Sequence, residues 1–118
     1  MQPGEPNGRY HSQPVQEDFL VLYGVHRNRR GRGTYAAQWD FLHRPAGTGH
    51  IFVGAGDGPW AVLMIDSRRE DACHYTVNAT AAKYGASVSN ETDDLAEAYA
   101  DWHAQGADVQ VPNPWPFR

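Results

Sequence analysis

Six histidines, one cysteine and a cluster of four arginines are the side chains of this 118-residue chain best suited to chemistry. His26, His50 and His74 fall on or beside predicted strands, where neutral imidazoles could converge with an Asp or Glu on a metal ion. No H-x-H, H-E-x-x-H or other ligand spacing joins them, so the sequence leaves metal and cofactor unknown. The single cysteine, Cys73, excludes an internal disulfide and a thiolate zinc cluster. Its neighbour His74 would point to the opposite face of a strand, which argues against a catalytic Cys–His pair. Gly54-Ala55-Gly56-Asp57-Gly58 is followed by a proline and a strand rather than a helix, so it does not meet the requirements of a phosphate-binding loop. No residue is assigned a catalytic role.

Two polar features remain. The first is Cys73–Thr80, whose alternation predicts a strand with His74, Thr76, Asn78 and Thr80 on one face. If the sheet curves, these side chains line a concavity with Trp60 as an apolar wall. The second is the stretch Arg27, Arg29, Arg30 and Arg32, predicted as a glycine-broken loop. It could grip phosphate or nucleic acid, or pair with the acidic residues Asp93, Asp94, Glu97 and Asp101 of the same or a second chain. The net charge is −4 and the pI about 5.8, which disfavours a general nucleic-acid binder. Residues 26–44 carry +4 and residues 66–118 carry −5, and that asymmetry suits self-association as a homodimer.

The elements that must position these groups follow from periodicity. Hydrophobic residues make up 41% and charged residues 20% of the chain, a globular composition that can bury one core. Residues 1–16, rich in proline and glycine, predict a flexible arm, with a single domain over 17–118. Glu17–His26 reads as an internal strand, apolar on both faces. Thr34–His43 predicts a helix with Tyr35, Trp39 and Leu42 on one stripe. His50–Val53 and Trp60–Ile65, joined by a Gly-Asp-rich turn, predict a hairpin, and the all-apolar Ala61–Ile65 predicts a central strand. A shorter strand is expected at Ala86–Asn90, a helix at Asp93–Gln105 with Leu95, Tyr99 and Trp102 on its stripe, and a strand at Ala107–Val111. A proline-rich strap carrying Trp115 and Phe117 ends the chain. The expected fold class is α+β: a mixed or antiparallel sheet of about five or six strands with two main helices on one face, of which a βαβββ-type half-barrel is one form. No segment reaches the roughly 18 apolar residues of a membrane span. With no secretory pattern either, a cytoplasmic protein is expected.

The segment Ala86–Arg118 resembles part of the vicinal oxygen chelate family, the glyoxalase and bleomycin-resistance-like proteins. The residues that carry the likeness are Asp94, Leu95, Gly106, Ala107, Trp115 and Arg118. It implies a strand–helix–strand unit and, by extension, a metal-dependent enzyme, although no position here matches the family's metal ligands.

Three functions are thus expected from sequence. The first is a non-catalytic protein holding a small molecule or protein partner in a sheet concavity through His74, Thr76, Asn78 and Trp60. The second is a phosphate- or nucleic-acid-binding accessory protein acting through Arg27, Arg29, Arg30 and Arg32. The third is a metal-dependent enzyme of the vicinal oxygen chelate type.

Overall fold

The computed structural model describes residues 2–30, 32–55, 58–66 and 73–102, with the side chains of 25–30 and 32–34 outside the description. In chain order the elements are β1 (His11–Ser12), β2 (Glu17–Tyr23), β3 (Val25–Arg30), β4 (Arg32–Ala36), β5 (Phe41–Arg44), β6 (Phe52–Ala55), β7 (Ala61–Asp66), β8 (His74–Tyr75), α1 (Ala79–Ala82) and α2 (Leu95–Ala98). The fold is largely β. Its antiparallel sheets run β5-β2-β7, β4-β3-β6 and β1-β8, and the two helices are a single turn each.

The predicted strand Glu17–His26 is present but divided at Gly24. This residue has φ +76, and a Cβ there would sit 2.5 Å from the Pro59 carbonyl oxygen and 2.9 Å from the Trp60 Cβ. Only glycine satisfies both demands, and the bend passes the chain from the first large sheet to the second. β2 is internal, as its two apolar faces require, flanked by β5 and β7. Glu17, Phe19 and Val21 point inward and are buried. Phe19 meets Phe52 edge-on at 4.4 Å between ring centroids, and together with Trp60 they form a core cluster lined by Leu42 and Val62.

Several sequence expectations are corrected here. The two main helices of the expected α+β plan are absent among the described residues. Where Thr34–His43 was expected to be helical, the end of β4 leads through a turn at Ala37–Asp40 into β5. Trp39 has φ 72, and the Asp40 carboxylate accepts a bond from the Ala37 N–H at 2.8 Å. The aromatic spacing that mimics a helical stripe therefore spans the end of β4, the turn and β5, with Tyr35 and Trp39 both exposed. The helix expected over Asp93–Gln105 is limited to α2 among the described residues. Asp94 caps it by accepting from the Ala96 N–H.

The expected hairpin is not formed either. β6 pairs with β3, whereas β7 pairs with β2. β7 lies at the edge of its sheet among the described residues rather than centrally, and Leu63, Met64 and Ile65 are exposed. An all-apolar run predicts two-sided burial; here much of it is exposed. Cys73–Thr80 contributes only the two-residue β8, because Asn78 leaves the strand to cap α1, its side chain accepting from the Ala81 N–H. Ala86–Asn90 forms no strand. The arginine stretch is a β3–β4 hairpin rather than a loop, with Arg30 opposite Arg32.

The N-terminal segment, expected as a flexible arm, is hydrogen-bonded to the body along its length. Asn7 N–H donates to the Phe52 carbonyl, Tyr10 N–H to that of Ala86, and His11 and His50 exchange backbone bonds. Arg9 is buried. Its guanidinium donates to the Ala98, Gly85 and Ser87 carbonyls and to Asp101 at 2.5 Å, and stacks 5.0 Å above Trp102. The expected strand Ala107–Val111 and the strap with Trp115 and Phe117 lie outside the described residues. No described helix is long and apolar enough to cross a membrane.

Candidate metal centre

His11 and His50 face each other across an isolated antiparallel bridge: His11 N–H donates to His50 O at 3.3 Å and His50 N–H to His11 O at 2.9 Å. Directly opposed residues in such a pair send their side chains to one face, and the two rings lie 4.8 Å apart between centroids. Glu17 reaches the same place from β2. It heads the inward row Glu17, Phe19, Val21, so the period of the strand carries a carboxylate into a buried position.

The three side chains offer ligand atoms that all lie within 4.8 Å of one another. Glu17 Oε2 is 2.8 Å from His50 Nε2 and 3.9 Å from His11 Nε2. The carboxylate is steadied by Gln13, whose amide donates to Oε1 at 2.9 Å. Phe19 closes the inner wall, its ring 5.5 Å from that of His50.

The tautomers follow from the other nitrogen of each ring. His11 Nδ1 is 2.7 Å from the Arg9 carbonyl oxygen, and His50 Nδ1 is 3.0 Å from that of Thr48. A carbonyl can only accept, so both Nδ1 atoms carry their protons. In the neutral ring Nε2 is then a lone pair, and both lone pairs converge on one buried carboxylate. Three acceptors cannot share that space unaided; a proton or a cation must lie among them. His11 favours the neutral form, because burial pushes its pKa down and the neighbouring His50 adds to this, against the Arg9 carbonyl and Glu17. Imidazoles fixed through Nδ1–H to backbone carbonyls, with Nε2 free to bind, form the usual outer support of histidine metal ligands.

Cys73 borders the centre. It packs against the cluster that contains Tyr75, and burial raises its pKa; burial likewise raises that of the Tyr75 phenol, with the thiol adding to it.

The structure distributes the sequence-predicted site residues widely. His50 belongs to the centre. His74 does not: its Nδ1 faces Asp93 and its Nε2 lies 2.6 Å from Glu91, at the surface. Asn78 is committed to capping α1, Thr76 is half-buried, and Trp60 is wholly buried in the core cluster. The side chains of His26, Arg27, Arg29, Arg30 and Arg32 lie outside the described residues. Sequence reasoning missed His11, placed in the arm, and Glu17, taken as the start of a strand. One signal was available: Glu17 is a carboxylate in phase with the apolar row Phe19, Val21.

No protein-family model and no curated relative matches the chain. Among solved structures it is similar to the crystal structure of a "putative sugar phosphate isomerase" from Acidithiobacillus ferrooxidans, with a TM-score of 0.56 and 23% identity. The likeness covers 63% of this chain and 49% of that one, so the chain spans about half the length of the protein it matches. At this identity the likeness establishes a shared fold. It also overturns the resemblance of Ala86–Arg118 to the vicinal oxygen chelate family, which no family model supports. The strand expected to open that unit is not formed, and its helix is a single turn among the described residues.

Proposed function

We propose that this chain is a metal-binding protein that holds one divalent transition-metal ion through His11 Nε2, His50 Nε2 and the Glu17 carboxylate. The observation that carries this reading is the convergence of both Nε2 atoms on one buried carboxylate while both Nδ1 protons are committed to carbonyls. Two imidazole nitrogens and one carboxylate oxygen suit a borderline ion such as Zn²⁺, Co²⁺ or Fe²⁺ better than Ca²⁺ or Mg²⁺, which prefer oxygen-rich shells. Three protein ligands leave at least one coordination position for water or a small molecule. The small-molecule role expected from sequence is thereby proposed at this centre rather than at His74, Thr76 and Asn78. A small ligand also suits the likeness to a "putative sugar phosphate isomerase", although the triad carries the reading.

The test is metal analysis and calorimetric titration of the full chain after chelator treatment. One Zn²⁺ or Co²⁺ per chain, lost in Glu17→Gln, is the expected result. Absence of binding in the wild-type chain would show that a proton, and not a metal, sits between His50 and Glu17.

A second reading, phosphate or nucleic-acid binding, is favoured by the β3–β4 hairpin. Its register sets Arg30 opposite Arg32 and brings four arginine positions into one short ribbon. Binding of DNA or RNA that weakens steeply with salt, and more gently after Arg29→Ala/Arg30→Ala, is its expected signature.

A further inference from the structure

Adjacent residues of a strand point to opposite faces, so the residue after Glu17 serves a different surface. Asp18 lies directly opposite His43 in the β2–β5 register and holds it, Oδ1 to Nδ1, at 2.6 Å. Asp18 is mostly buried and His43 half-exposed. Both line an open cleft of about 650 Å³ at one end of the β5-β2-β7 sheet, where the strand ends meet the turn before β2. Pro14, Pro45 and Ile65 supply aliphatic walls, and Asp66 and Gln16 add polar groups.

His43 differs from the other described imidazoles. His11 and His50 direct Nε2 at Glu17, and both nitrogens of His74 are engaged by carboxylates. With Nδ1 given to Asp18, His43 presents an Nε2 that has no partner among the described residues. No lysine or arginine is among the described residues lining the cleft, whereas two carboxylates are. A phosphate or carboxylate ligand would meet like charge there. A neutral polyhydroxylated molecule would find acceptors in Asp18, Asp66 and His43 Nε2 for its hydroxyl protons, and aliphatic walls for its C–H faces.

We infer that this cleft is a second, metal-independent binding site for a small uncharged polyol or sugar, with His43 Nε2 accepting a ligand hydroxyl and Asp18 positioning the ring. The site uses none of the metal centre's ligands: Asp18, His43 and Ile65 share the face of the sheet opposite to that of Glu17.

The experiment is a side-chain NMR titration of the full chain with D-glucose and with D-sorbitol, following the His43 ring and the Ile65 methyl groups. D-glucose 6-phosphate serves as the charged comparison. Saturable shifts in the millimolar range with either neutral probe are expected, with the phosphate ester binding more weakly. His43→Ala and Asp18→Asn should each weaken binding by about tenfold, the loss of one polar contact, as read at Ile65. His74→Gln should leave the titration unchanged. Non-saturating shifts with both neutral probes, preference for the phosphate ester, or unaltered binding in both His43→Ala and Asp18→Asn would overturn the inference.

Discussion

Two of the histidine–carboxylate clusters among the described residues use the same side-chain types for opposite ends. In the buried one, two imidazoles give their Nδ1 protons to backbone carbonyls and aim both Nε2 atoms at Glu17. In the exposed one, a single imidazole, His74, is gripped at Nδ1 by Asp93 and at Nε2 by Glu91. An excess of lone pairs around a buried point calls for a cation. An excess of carboxylates around one ring calls for a proton on that ring. Residue type alone does not distinguish them; the partner of the second nitrogen does.

The difference is broken most sharply by removing one carboxylate from each cluster. Glu17→Gln should weaken Zn²⁺ binding by more than about 100-fold, since loss of a direct ligand exceeds the 10–100-fold typical of an outer-shell change. Glu91→Gln should leave that affinity untouched, and titration calorimetry on both variants checks the pair. Arg9 comes next, because it ties the segment carrying His11 to the one carrying Ala98 and Asp101. Arg9→Ala strands buried carbonyls and should lower stability by about 3 kcal/mol in denaturant unfolding. Gln13→Ala removes the amide that steadies Glu17, and should weaken metal binding by about 10–100-fold with the fold intact.

How much of this was legible beforehand divides along the same line. β2 was readable because its apolar pattern runs on both faces, and Glu17 in phase with Phe19 and Val21 could have marked the buried carboxylate. His11 was not, because its position opposite His50 comes from a bridge between segments far apart in sequence, which no local spacing encodes. The helix expected around Trp39 failed because a 3.6-residue period in a short window is also met by a strand, a turn and a strand. Trp39 at positive φ and the Asp40–Ala37 bond decide the matter. The run Ala61–Ile65 misled for another reason. Hydrophobicity records what could be buried, and β7 places part of it on an exposed face.

The smallest effect belongs to the exposed cluster. Bonding to Asp93, then to Glu91, raises the His74 pKa above its ordinary value of 6.5. The folded chain therefore holds this proton more tightly than the unfolded one. The stabilisation is complete below pH 6.5 and is lost as pH rises through the elevated value. Thermal unfolding followed from pH 6.5 upward should show a modest decline that His74→Gln lacks. An identical decline in the variant would remove His74 as its source.

The most direct test of the contrast is long-range ¹H–¹⁵N correlation of the imidazole nitrogens in the full chain, recorded before and after Zn²⁺. His11 and His50 are expected to carry protons on Nδ1, and both Nε2 resonances to move on adding one equivalent of metal. The His74 resonances should be unmoved by the metal. A His50 ring protonated at both nitrogens, with spectra unmoved by Zn²⁺, would contradict this expectation and leave the buried cluster as an ion pair like the exposed one.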